Sequence, residues 1–193
     1  MRGKLLKVVV TATATAMLAT ACTGSSDDPA EGDEQTGGTL RVYAAEPKYL
    51  LPSAASDEPA IYVIRQLYRG LVRYNAETGD PENDLAESIT SDDRKLWTIK
   101  LKDGYTFDNG EPVNADAFIR AWNFAAYAPN GQGNGYFMKR IAGIDEVLPK
   151  DPDGDGPKEA PEPTAETLSG LNKVDDLTFT VELKEPFTGF PTV

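Results

Sequence analysis

The sequence predicts an α/β chain, and three observations carry that reading. Segments at 40–44, 96–102 and 177–183 alternate apolar and polar side chains with the period of a β-strand. Segments at 61–68 and 118–125 space their apolar residues as one face of a helix. Clusters of Gly, Pro, Asn and Asp separate these segments, and such residues favour turns.

The elements follow in order. Leu40-Arg41-Val42-Tyr43-Ala44 reads as a first strand. Glu46 to Ser56 carries Pro47 and Pro52 and reads as an extended loop. A helix is expected from Ser56 or Asp57, with Pro59 tolerated in its first turn and Gly70 at its stop. Ile61, Ile64, Leu67 and Tyr68 are its expected buried face. Leu71 to Tyr74 reads as a second strand and Asn75 to Asp84 as a turn centred on Gly79-Asp80-Pro81.

In Leu96 to Lys102, Trp97, Ile99 and Leu101 share one face. Asp103-Gly104 is expected to make a tight hairpin into Tyr105-Thr106-Phe107. Asn109-Gly110 is a further turn. Asn114 suits a helix N-cap, Asp116 its first turn, and Val113 with Phe118 a hydrophobic staple. Phe118, Ala121, Trp122 and Ala125 are the expected inner face, and Pro129 ends the helix. Asn130 to Gly135 is expected to be a mobile Gly-rich loop. Asp151 to Pro163 holds four prolines and is expected to lack regular structure. Leu177, Phe179, Val181 and Leu183 mark the clearest strand. Trp97 and Trp122 are read as core, because periodicity explains both.

Composition narrows the function. Among 193 residues, 31 are acidic and 19 basic, a formal charge of −12. That balance opposes nucleic-acid binding, which needs clustered Lys and Arg. There is no His, so no Ser-His-Asp or Cys-His pair and no His-ligated metal site can be built. The single cysteine, Cys22, excludes an internal disulfide.

The N-terminus has the layout of a secretory signal: Arg2, Lys4 and Lys7, an apolar stretch from Val8 to Leu18, then Ala19, Thr20 and Ala21 before Cys22. The apolar stretch falls short of the roughly 20 residues that span a bilayer. The run Leu18-Ala19-Thr20-Ala21-Cys22 resembles a bacterial lipobox, with its Leu four rather than three residues before the cysteine. This resemblance implies cleavage after residue 21 and a lipid anchor on Cys22, whose buried acyl CH₂ groups would contribute roughly 0.8 kcal/mol each. An ordinary signal peptide with an incidental cysteine is the alternative. Residues 23–38, TGSSDDPAEGDEQTGG, carry five acids and no large apolar side chain, the composition of a flexible tether.

Asp151-x-Asp153-x-Asp155-Gly156 with Glu162 fits the spacing of a calcium loop. Pro152, Pro157, Pro161 and Pro163 oppose the helix such a loop needs, so a solvated acidic linker is the favoured reading. A Ca²⁺-binding surface module through Asp151–Glu162 stands as an alternative. Asp92-Asp93 and Asp175-Asp176 precede strands and are read as turn residues rather than an acid–base pair.

The run from Leu85 to Trp122, LAESITSDDRKLWTIKLKDGYTFDNGEPVNADAFIRAW, resembles the signature region of family 5 extracellular solute-binding proteins. These are the oligopeptide-, dipeptide- and nickel-binding components of ABC importers. Colinear similarities extend to Gly38-Thr39-Leu40-Arg41-Val42, to Ile141-Ala142-Gly143-Ile144-Asp145-Glu146, and to Val174–Leu183 with Glu185-Pro186-Phe187.

The resemblance implies a two-lobed, type II clamshell α/β fold that closes by hinge motion on a peptide-like solute. Residues 39–193 would be the N-terminal part of lobe one, with the extra subdomain of peptide-binding members and without the second lobe. It also implies ABC permease subunits as partners, a lipid-anchored extracytoplasmic location, and neither cofactor nor bond chemistry. The segment Ala45, Glu46, Pro47 and Lys48 would lie beside the bound peptide backbone, Pro47 having no N–H to donate. Tyr136, just before the Ile-Ala-Gly run, would approach the ligand. A plain surface loop remains the alternative for all five residues, and a fragment of a secreted hydrolase the alternative for the whole.

Overall fold

The computed structural model describes residues 38–154 and 158–192. The leader at 1–21, Cys22, almost all of the acidic tether, and Asp155 and Gly156 of the calcium-spaced run lie outside the described residues. Residues 38–43 form one unit and residues 44–192 another. In the first, Leu40, Val42 and Tyr43 are exposed, and no strand forms over 40–44. This corrects the expected first strand. Alternation supplies a side-chain pattern, but a strand exists only against a neighbour that completes its hydrogen bonds, and no described strand pairs with this segment.

The second unit is built on an antiparallel sheet. Helix α1 spans Glu58–Leu67, β1 Val72–Tyr74, β2 Pro81–Asn83, β3 Ala86–Thr90 and β4 Leu96–Leu101. Helix α2 spans Ala115–Ala126, the short α3 Ile144–Val147, β5 Leu171–Lys173 and β6 Thr178–Glu182. Strands β1 and β2 form a small ribbon, and the main sheet has the order β3-β4-β6-β5.

The alternating segments are its two central strands. Trp97 lies opposite Val181, and Ile99 opposite Phe179. Ile99, Leu101, Phe179, Val181 and Leu183 are fully buried. Each such side chain contributes roughly 1.5–3 kcal/mol relative to exposure. Helix α2 covers this face, with the Phe118 and Trp122 rings each 5.8 Å from Phe179. The Trp97 ring meets Phe190 at 5.4 Å. Both tryptophans therefore serve the core, Trp97 buried and Trp122 packed against it half-buried. Ala121, assigned to the inner face of α2, is exposed, and Ala126 is buried in its stead. The stripe drifts around the helix because 3.6 residues do not divide its spacing evenly.

Both helices begin on the expected caps. The Asp57 carboxylate accepts from Ala60 N at 3.1 Å, and Asn114 Oδ1 accepts from Ala117 N at 3.0 Å. The buried face expected for α1 is corrected: Ala60 is buried, Ile61 and Ile64 half-buried, and Leu67 and Tyr68 exposed. The helix also stops before Gly70, with Tyr68 as an extended C-cap.

The expected Asp103-Gly104 hairpin does not form, because β4 takes β3 and β6 as its neighbours. Residues 105–107 instead fold back on 111–113 around Asn109-Gly110. Phe107 N donates to Glu111 O at 2.8 Å, and Val113 N to Tyr105 O at 2.9 Å. Gly110 takes φ 86°, a conformation glycine adopts without cost. Strands β2 and β3 arise inside segments read as turn or left unassigned. Asp84 N and Ala86 N donate to Leu71 O at 2.8 and 3.2 Å, tying the ribbon to the sheet. That junction holds the buried carboxylate of Asp84 against Arg69, whose guanidinium also lies 4.9 Å from the Tyr105 ring centre.

Candidate functional site

The candidate ligand residues belong to two segments far apart in sequence, and the fold joins those segments. After Ala45–Lys48 the chain turns at Leu51–Ala55, where Ala54 N and Ala55 N both donate to Leu51 O at 2.9 Å. The Gly-rich loop after α2 docks there. Asn134 N donates to Ser53 O at 3.0 Å, and Asn134 Nδ2 to Pro52 O at 2.7 Å and Ala55 O at 2.8 Å. Ser53 Oγ donates to Gln132 Oε1 at 2.7 Å. Gly135 then passes against α2 so closely that a Cβ there would lie 2.7 Å from Ala125 O. The loop expected to be mobile is pinned at both of these contacts, because Asn134 answers three backbone groups of the facing turn.

The join lies at 52–55 and 132–134, downstream of Lys48 and just upstream of Tyr136. Ala45, Glu46 and Lys48 are exposed, and Pro47 is half-buried. Tyr136 is 53 % exposed and stacks on Phe137 with ring centres 4.2 Å apart. No hydrogen bond among the described residues links Tyr136 directly to the 45–48 segment.

Tyr136 also rims an open cavity of about 630 Å³. It is lined by the apolar Ile144, Leu148 and Pro149 and by the basic Lys139, Arg140, Lys150 and Lys184. Lys184 pairs with Asp145 at 3.0 Å, and Arg140 with Glu185 at 3.6 Å while lying 3.9 Å over the Phe187 ring. Sequence reasoning missed this cluster. The adjacent Lys139-Arg140 pair in an acidic chain was its one local signal, since Lys184 arrives from the far end of β6.

One member of each carboxylate pair, Asp93 and Asp175, takes the turn role expected of it. Asp93 Oδ1 accepts from Lys95 N and Leu96 N, both at 2.8 Å. Those backbone donors hold its carboxyl below the usual range. Asp175 Oδ1 accepts from Leu177 N at 2.8 Å. Asp176 pairs with Lys173 at 2.8 Å, and that bond likewise lowers its pKa. Asp93 and Asp175 are thus engaged by their own turns, and Asp176 by Lys173.

The model of bacterial extracellular solute-binding proteins, family 5 (middle), matches residues 80–193. The chain belongs to this family. The family 5 chain is 30 % identical over 181 residues to the periplasmic oligopeptide-binding protein OppA of Salmonella typhimurium, covering 91 % of this chain and 31 % of that protein. It is 36 % identical over 126 residues to the oligopeptide-binding protein OppA of Bacillus subtilis, covering 63 % and 23 %. Among solved structures, the Escherichia coli murein tripeptide binding protein MppA aligns with a TM-score of 0.64 at 27 % identity, over 77 % of this chain and 27 % of that one. The mixed helix-and-sheet fold is thus that of family 5 peptide-binding proteins, and the chain spans between about a quarter and a third of the length of these relatives.

Proposed function

We propose that this chain is the N-terminal part of a peptide receptor: a lipid-anchored, extracytoplasmic solute-binding protein that hands peptides to the permease of an ABC importer. The observation that carries the reading is the family match over 80–193, which spans the whole main sheet and α2. The relatives named for oligopeptides give the solute class. Residues 1–21 act as the leader, Cys22 carries the lipid, residues 23–38 are the tether, and the body begins at 39. Ala45, Glu46, Pro47, Lys48 and Tyr136 face the peptide. The second lobe of the clamshell comes from the length of the relatives that this chain does not span.

The receptor performs no bond chemistry. This reading is supported by the lack of a His for a Ser-His-Asp or Cys-His pair and by the engagement of Asp93 in its turn and of Asp176 by Lys173. Two measurements test the reading. Peptides incubated with the protein are recovered at unchanged mass; saturable cleavage overturns the receptor assignment. Labelled palmitate enters the wild type and not Cys22→Ala, which appears in the medium; a Cys22→Ala variant that stays on the membrane overturns the anchor.

A further inference from the structure

We propose that the cavity beside Tyr136 is a subsite for a carboxylate-bearing side chain, so that the protein prefers peptides containing Glu or Asp. This inference rests on the peptide-receptor reading and names a selectivity within it. The chain carries a formal charge of −12, yet four basic side chains surround this cavity against two acidic ones. Asp145 and Glu185 occupy Lys184 and Arg140. Lys139 and Lys150, both exposed, form no ion pair with any described residue. The site therefore holds two cations in excess, where the rest of the molecule repels anions.

The shape selects among anions. A volume of about 630 Å³ falls within the usual range for a small-ligand pocket and suits a side chain with its flanking backbone. The half-buried Leu148 and Pro149 in its lining offer apolar surface to the methylenes of a Glu side chain, and the exposed Lys139 and Lys150 in the same lining offer ammonium groups to its carboxylate. A compact inorganic anion leaves that apolar lining unused. Tyr136 stands at the rim, so a peptide lying along this tyrosine has the cavity within reach of one side chain. Two exposed charge contacts favour the acidic peptide by about tenfold at low salt.

The test is a pair of amide ¹H–¹⁵N titrations of the 193-residue chain with Ala-Ala-Glu-Ala and Ala-Ala-Gln-Ala. Binding by this one-lobed chain is expected to be weak, and the Glu peptide is expected to reach a given shift of Tyr136, Lys139, Arg140 and Lys150 at about a tenfold lower concentration than the Gln peptide. The double variant Lys139→Glu, Lys150→Glu is expected to reverse that order. Both changes are at exposed positions, and an unaltered spectrum outside the cavity shows that the fold is kept. If both peptides shift residues 45–48 and Tyr136 at equal concentrations, the subsite is refuted and the receptor reading stands. If neither peptide shifts any amide, the subsite is refuted, while the receptor reading, whose second lobe lies outside this chain, is judged by the cleavage and anchor tests above. Inorganic phosphate shifting the same amides at the concentration of the Glu peptide refutes the peptide side chain as occupant.

Discussion

Helices α1 and α2 begin alike and end up differently. Each has an Asx N-cap bonded to the third residue beyond it and an acidic residue in its first turn. Helix α2 lays Phe118 and Trp122 on Phe179 and buries Ala115, Ala125 and Ala126. Helix α1 buries Ala60 alone and leaves Tyr62, Leu67 and Tyr68 exposed. The comparison separates two kinds of information. Caps and periodicity are local and make a helix; what its apolar stripe meets is set by strands far along the chain. Helix α2 has β6, more than fifty residues later, to lie on.

The largest expected effect tests the packed half. Phe179→Ala removes the ring that Phe118 and Trp122 of α2 touch, and should cost about 3–5 kcal/mol, read as a lower urea midpoint. An unchanged midpoint would mean that α2 does not depend on the sheet. At the join of the two candidate ligand segments, Asn134→Ala removes two hydrogen bonds to backbone carbonyls and should cost about 1–3 kcal/mol. Faster hydrogen exchange of the residue-134 amide, bonded to Ser53 O, checks that the loop has been released.

Asp84 gives a smaller, pH-dependent effect. The hydrogen bond from Arg69 holds its carboxyl below the ordinary value of 3.8. The proton is therefore bound more weakly in the folded state. The pair's contribution is complete above that ordinary value and is lost as pH falls through the depressed one. Arg69 is half-exposed, so Asp84→Asn should cost about 1–2 kcal/mol at pH 7. Below pH 3.8 the wild type should lose stability faster than the variant; parallel acid unfolding curves would contradict the assignment. The smallest effect belongs to α1. Leu67→Ala, at a 61 % exposed position, should change stability by less than about 0.5 kcal/mol. A cost near that of Phe179→Ala would erase the contrast between the helices.

The same division explains what the sequence made legible. Strands β4 and β6 were readable because both faces obey a strict alternation from Trp97 to Leu101 and from Leu177 to Leu183. Strand β3 was not: Ala86-Glu87-Ser88-Ile89-Thr90 is an edge with little apolar content, defined by the neighbour it pairs with. Pro81-Glu82-Asn83 became β2 for the same reason. In the candidate site, Tyr136 and the 45–48 segment came from family resemblance. The docking of Asn134 onto Pro52 and Ala55 spans about eighty residues and leaves no local trace. Lys184 reaches the basic cavity by the same kind of long connection.

The central claim is that this chain presents a peptide-binding surface built from the 45–48 segment and Tyr136. Amide shift mapping of the chain with tetra-alanine tests it most directly. Because the second lobe lies outside this chain, the account expects weak shifts that need millimolar peptide and gather on residues 45–48 and 136, with the spectrum of α1 unchanged. Shifts gathered on the exposed face of α1, with none at residues 45–48 or 136, would contradict it.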